Sequence, residues 1–198
     1  MVEVELPNPE ELEERREKGF TRRVALTTAI FAVMLAIASL GGKNAMKEML
    51  LAQQQASDLW AFYQAKALRE HQYRTQRSRL EVDLAERGPG MKPDVRKKFD
   101  ALMAKFTEEE KRYGEEKKEL EKEAKTLEHE RDVNRAKDPY FDFAEALLQI
   151  AIVMASIAIL SNTRSTFIFS LVLALLGAVL TVDGFTLFLK LPFLHVGH

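Results

Sequence analysis

The sequence predicts an all-α fold in which three transmembrane helices carry a long extramembrane antiparallel helical hairpin, coiled-coil-like in its pairing. Three observations lead there. Three apolar runs of seventeen or eighteen residues hold almost no charge. Between the first and second run lies a block with 22 of the 29 Lys+Arg and 20 of the 30 Asp+Glu. Within that block, two helix-favouring arms of equal length flank one Gly/Pro-rich break. An average that looks soluble (46% hydrophobic, 30% charged) therefore conceals two unlike materials in one chain.

Residues 1–23 form a charged N-terminal segment, and residues 24–42 the first transmembrane helix. Its apolar stretch, Val24–Leu40, would rise about 25 Å as a helix, enough for a thin hydrocarbon core. After Leu40 comes Gly41-Gly42-Lys43-Asn44, with no small-x-small cleavage site, so the run is expected to stay as an uncleaved span. Gly41-Gly42 offers a flexure at the membrane surface.

Residues 43–138 are expected to be the hairpin domain, with its turn at residues 88–93. Asn44–Arg87 lacks proline and glycine and is rich in strong helix formers. Gly88-Pro89-Gly90-Met91-Lys92-Pro93 breaks it, Asp94 starts the return, and Asp138-Pro139 closes it. Each arm would reach about 66 Å, so the chain leaves the membrane, turns once and returns. Phe99, Phe106, Tyr113, Leu120, Leu127 and Asn134 recur every seven residues, a coiled-coil stripe with Val95 and Leu102 at the alternate positions. Further along, the alternates become Glu109, Glu116, Glu123 and Glu130. These acids are expected to flank the stripe, with Glu116 near Lys66 and Glu109 near Arg74. Gly114 is a candidate kink.

Residues 139–160 form the second span, 161–165 a short loop, and 166–198 the third span with an apolar C-terminal tail. So short a loop requires the last two spans to pair antiparallel. Ala151, Ala155 and Ala158, with Ala174 and Gly177 opposite, would permit close approach. Arg15, Arg16, Lys18, Arg22, Arg23 and Arg164 would share one side, which the positive-inside rule makes cytoplasmic. Lys43, Lys47, Arg131, Arg135 and Lys137 flank the other side, but in a long loop that counts less.

Just after the first span stands Gln53-Gln54-Gln55-Ala56-Ser57-Asp58-Leu59-Trp60-Ala61-Phe62-Tyr63-Gln64-Ala65-Lys66-Ala67-Leu68-Arg69. This run resembles the signature of a bacterial membrane-protein family known only as a domain of unknown function, with the motif A-S-D-x-W-A-x-Y-Q-A-K-x-x-R. The resemblance implies a three-span architecture and brings no catalytic residue. Physically, Ala56, Trp60, Tyr63 and Ala67 share one helix face, ringed by Gln53, Asp58, Gln64, Lys66 and Arg69. That face can pack on the returning arm near Leu120 and Leu127, or form a subunit contact in a homo-oligomer.

Three polar residues fall in or beside the spans: Glu145 and Gln149, four apart on one face, and Asp183. Asp183 either sits at the interface or, deeper, pairs with Lys43. With no cysteine there is no thiolate chemistry, disulfide or Cys-based metal site. His195 and His198 are too few for a metal site, and His71 and His129 lack matched partners. No phosphate loop, dinucleotide fingerprint, H-E-x-x-H or nucleophile elbow occurs, so no cofactor and no enzyme activity is expected. A net charge of −1 speaks against nucleic-acid binding by bulk charge. The functional expectation is a homo-oligomeric scaffold or accessory subunit of the bacterial inner membrane, with the hairpin periplasmic and open to a protein partner. The alternative is an oligomeric channel with Glu145, Gln149 and Asp183 near its pathway.

Overall fold

The computed structural model describes residues 9–189, and all its regular structure is helical. Helix α1 runs Pro9–Arg87, a 3-10 turn covers Gly88–Gly90, α2 runs Pro93–Ser161 and α3 runs Arg164–Thr186. The all-α expectation holds. Contacts divide the chain into two units: one takes the chain up to Glu48 and again from Val133, the other is Met49–Asp132.

In the first unit, α1, α2 and α3 each contain an apolar window long enough to cross a membrane, judged by length and composition. Only 22%, 28% and 22% of those windows is buried. The buried part sets a few larger side chains among alanines: Val24, Phe31 and Ala38 of α1 meet Ala144, Leu148, Ala151 and Ala155 of α2 and Ala174 of α3. At Gly177 a Cβ would stand 2.8 Å from Leu148 Cγ and 3.2 Å from the Ala144 carbonyl oxygen, so only glycine allows this approach of α2 and α3. Leu26, Ile30, Val33 and Leu40 point outward, as do Ile168, Leu175 and Val182.

Two expectations about helix ends are corrected here. Gly41-Gly42 is no flexure, because α1 is helical straight through it. The glycines instead seat Phe141, whose ring a Cβ at Gly41 would overlap; at Gly42 the Cβ would be 3.2 Å from Phe141 Cβ, and at Gly184 3.0 Å from its ring. Nor does Asp138-Pro139 end α2, since Pro139 lies inside it. Proline removes a helix hydrogen bond and crowds the preceding turn, at about 3 kcal/mol in a free helix. Tyr140 and Phe141 are fully buried right beside it and hold the backbone in place.

The α2–α3 connection is short and capped from within. Asn162 takes the left-handed conformation (φ 48°) that asparagine tolerates, while the Thr163 N–H bonds the Ala158 carbonyl. The Asn162 side-chain amide donates to Glu17 Oε1 of α1 at 2.9 Å.

In the second unit, the contacts between α1 and α2 fall in reverse order: Trp60 with Glu128, Lys66 with Glu116, Tyr73 with Phe106. Protected positions recur every seven residues on both helices. On α1 the repeat starts in the first unit, where Val24, Phe31, Ala38 and Ala45 are buried, and in the second unit Ala52 is buried while Leu59, Lys66, Tyr73 and Leu80 are half-buried. On α2 the expected stripe Phe99, Phe106, Tyr113, Leu120 and Leu127 is protected. Its alternates are Met103, Glu110, Lys117, Ala124 and Arg131, one residue beyond the expected set. Val95, Leu102, Glu123 and Glu130 are exposed. The seven-residue stripe places the second set four residues after the first, where charged side chains happen to fall. Gly114 does not kink α2; the Glu70 carboxylate passes 3.7 Å from where its Cβ would be.

Candidate functional site

The unusual site of the Met49–Asp132 unit is a layer of charged and aromatic side chains at positions that ordinarily carry Leu or Ile. It begins with Tyr113, 5% exposed, stacked on Tyr73 with 5.7 Å between ring centroids and 12° between planes. Three cations surround its ring: Lys66 at 5.2 Å, Arg69 at 5.8 Å and Arg112 at 4.8 Å from the centroid. Arg69 Nη1 also donates to the phenol oxygen at 3.2 Å. Cations over an aromatic face are attracted by its quadrupole. The Arg69 hydrogen bond, helped by Arg112, moves the Tyr113 phenol below its ordinary pKa against the effect of burial.

Acids complete the layer. Lys117 donates to Glu70 Oε2 at 2.7 Å, and Arg74 Nη2 reaches Glu70 Oε1 at 3.0 Å. Lys117, then Arg74, hold the Glu70 carboxyl below the usual carboxylate range, and Glu70 in turn raises Lys117. Lys66 and Arg112 likewise lower Glu116. Arg74 Nε donates to Glu110 Oε1 at 2.8 Å, so Arg74 takes Glu110 and not the expected Glu109, which pairs with Arg112. Arg77 Nε lies 3.1 Å from Glu110 Oε2 but off the hydrogen-bond line, an ion pair with both atoms otherwise unpartnered. The expected Lys66–Glu116 pair is present.

The candidate face at the start of this unit divides between inside and outside. Ala56 is buried; Trp60 and Tyr63 are half-buried, edge to face at 5.2 Å. Trp60 Nε1 donates to Glu128 Oε1 at 3.0 Å, and Lys117 lies 5.7 Å from the Tyr63 ring. Gln53 is exposed but accepts from Arg131 at 3.1 Å; Asp58 accepts from Gln54 at 3.1 Å. Gln64 is exposed. Outward on the same turns stand Phe62 and Leu68, 60% and 59% exposed. Sequence reasoning passed over both; large apolar side chains beside Gln64 in a charge-rich block were the available signal.

In the other unit, Asp183 is 4% exposed and serves the end of α3. Its Oδ1 accepts the Leu189 N–H at 2.8 Å, and its carbonyl accepts the Leu187 N–H at 2.7 Å. Leu187 is thereby held at φ 49°, a left-handed conformation costly for leucine, and Tyr140 fixes the segment by donating to the Leu189 carbonyl at 2.8 Å. Asp183 Oδ2 has no hydrogen-bond partner, and Lys43 makes no ion pair with it. Glu145 is half-buried near Gly42, and Gln149 is exposed. Among the described residues no group of three or more His, Asp or Glu could hold a metal ion. His195 and His198, with the tail beyond Leu189, lie outside the described residues.

A family model described as "Domain of unknown function (DUF4337)" matches residues 20–187, which takes in both units. No curated protein and no solved structure matches the chain.

Proposed function

Because the chain belongs to the DUF4337 family, whose description assigns no activity, we propose its function from its own geometry: a non-enzymatic, homo-oligomeric scaffold or accessory subunit of the bacterial inner membrane, acting through a helical hairpin. The observation that carries the membrane part is the outward display of the apolar windows. A water-soluble bundle would hide such helices, yet most of each faces out, as lipid-facing surfaces do. The polar unit supports the hairpin part: reversed contacts and a seven-residue stripe are the pattern of a two-stranded antiparallel coiled coil. In orientation, Arg15, Arg16, Lys18, Arg22, Arg23 and Arg164 favour a cytoplasmic N-terminus and a periplasmic hairpin.

Self-association draws support from Phe62 and Leu68, large apolar side chains that stand exposed near the amide Gln64 in a charge-rich unit. Aromatic and aliphatic anchors within a polar rim are the composition of a subunit contact. A conducting assembly is the weaker reading, since Asp183 Oδ1 is engaged by its own chain.

Mass measurement of the particle extracted into detergent or nanodiscs tests the proposal. A multimer that falls to lower mass in the Phe62→Ser, Leu68→Ser double variant is expected. A monomer, or a multimer indifferent to those substitutions, refutes association through this face. Release of the protein by alkaline carbonate would refute the membrane assignment.

A further inference from the structure

One amide faces out of the apolar stretch of α2. Gln149 is exposed, and among the described residues nothing hydrogen-bonds its side chain. It lies about 15–17 Å of helix from Pro139 and from Leu160, the limits of the second expected span. A hydrocarbon core is about 30 Å thick. On the membrane reading above, on which this inference rests, the amide is therefore near the bilayer midplane. Acyl chains offer it neither donor nor acceptor, and an unpaired amide in hydrocarbon is costly.

Gln149 belongs to an ordered row. Ala146, Gln149, Val153, Ser156 and Leu160 follow one another at intervals of three or four residues, and all are exposed. Asp142 continues the row at the edge of the span. Ala144, Leu148, Ala151 and Ala155, which pack with α1 and α3, occupy the opposite side of the helix. The span of α2 thus has a second stripe with the spacing of helix-on-helix packing. Ala146 and Ser156 are small, and the Ser156 hydroxyl is satisfied on its own helix, donating to the Ile152 carbonyl at 3.0 Å. Another helix has room to come close enough for Gln149 to reach across.

The amide also selects the partner. A carboxamide carries both donor and acceptor, so two of them satisfy each other. Identical chains cross a bilayer at identical depth, so a second copy brings its own Gln149 to the same level. An unrelated helix would need a polar group placed there independently. We propose that the outward stripe of α2 is a second seam through which two copies of this chain pair within the membrane, their Gln149 amides hydrogen-bonded to each other. The seam shares no residue with the Phe62 and Leu68 face.

The chain has no cysteine, so single cysteines report contacts without background. Val153→Cys probes the seam, and Leu175→Cys on the outward side of α3 is the control. Both full-length variants are oxidised with copper phenanthroline, in native membranes and in liposomes of the purified protein. Val153→Cys should give a disulfide-linked product of twice the chain mass in both settings, and Leu175→Cys should not. Gln149→Leu, which keeps the apolar packing, should lower the self-association constant in micelles about tenfold. Absence of the Val153→Cys dimer, equal cross-linking of the control, or association indifferent to Gln149→Leu overturns the proposal. A product of some other mass, confined to native membranes, overturns a second copy as the partner. The Val153→Cys dimer should persist in the Phe62→Ser, Leu68→Ser variant; its disappearance there assigns the pairing to the hairpin and overturns the seam. Alkaline carbonate extraction runs in parallel. Protein retained by the membrane without a Val153→Cys dimer sinks the seam and leaves the membrane reading standing, whereas release by carbonate removes both.

Discussion

Phe141 against Gly41, Gly42 and Gly184 offers the sharpest stability prediction. Gly41→Ala adds one methyl group where the Phe141 ring already stands, and a Cβ at Gly42 or Gly184 would come within 3.0–3.2 Å of the same side chain. Phe141 is 1% exposed, so it has little room to retreat. Overpacking of this kind costs about 1–3 kcal/mol, set against a gain of up to about 1 kcal/mol from replacing a mid-helix glycine. The net expectation is a loss of about 1–2 kcal/mol. Gly19→Ala supplies the control, because nothing lies within 4 Å of its added Cβ and only the helix gain remains. Phe141→Leu should weaken the wild-type protein yet tolerate Gly41→Ala, giving a coupling of at least about 1 kcal/mol in the double-mutant cycle. The assay is reversible unfolding in mixed micelles followed by circular dichroism. If Gly41→Ala stabilises as much as Gly19→Ala, the close seat of Phe141 between the glycines is refuted.

Other consequences can be checked in the same assay. Glu70→Gln removes the partner of Lys117 in a half-buried pair and should destabilise by about 1–2 kcal/mol. Because Glu70 and Glu116 both lie below their ordinary carboxylate values, their contribution is complete above about pH 4.5 and is lost as pH falls through the depressed values. A titration should therefore show an acid limb that shrinks in the Glu70→Gln, Glu116→Gln variant; an unchanged limb assigns it elsewhere. Ala124→Leu at a fully buried stripe position should cost about 1–3 kcal/mol, whereas Ala65→Leu on the exposed side should stay within about 0.5 kcal/mol. Pro139→Ala restores a helix donor and should stabilise by about 1 kcal/mol or more; a loss would mean that proline's rigidity outweighs the missing bond.

The bulky half of the repeat was legible in the sequence. Phe99, Phe106, Tyr113, Leu120 and Leu127 stand out against charge, and the break at residues 88–93 announces itself through proline and glycine. The matching stripe on α1 was not legible. Ala38, Ala45 and Ala52 carry too little contrast among Ala, Leu and Gln neighbours for their spacing to register. Charge hid most of the rest: the Lys66–Glu116 pair was expected from the antiparallel register, but Glu70, Arg77, Glu110 and Lys117 look like solvent-facing residues until their partners are known. Pro139 and Gly41-Gly42 misled because local propensity was overridden by packing on Phe141. Asp183 was singled out for its charge, but its bond to Leu189 depends on a left-handed turn that no local pattern announced.

The ion pairs inside the Met49–Asp132 unit do something that a purely aliphatic seam could not. Sliding α2 by one repeat along α1 in one direction would set Lys117 against Arg77 and Glu110 against Glu81. Sliding it the other way would bring Glu110 to Glu70 and leave Lys117 facing only Tyr63. Identical heptads of leucine would accept either displacement at little loss, while here each one juxtaposes like charges. The pair of helices thus carries a one-position code against slippage, and a pull on one arm is passed to the other without being absorbed by creep.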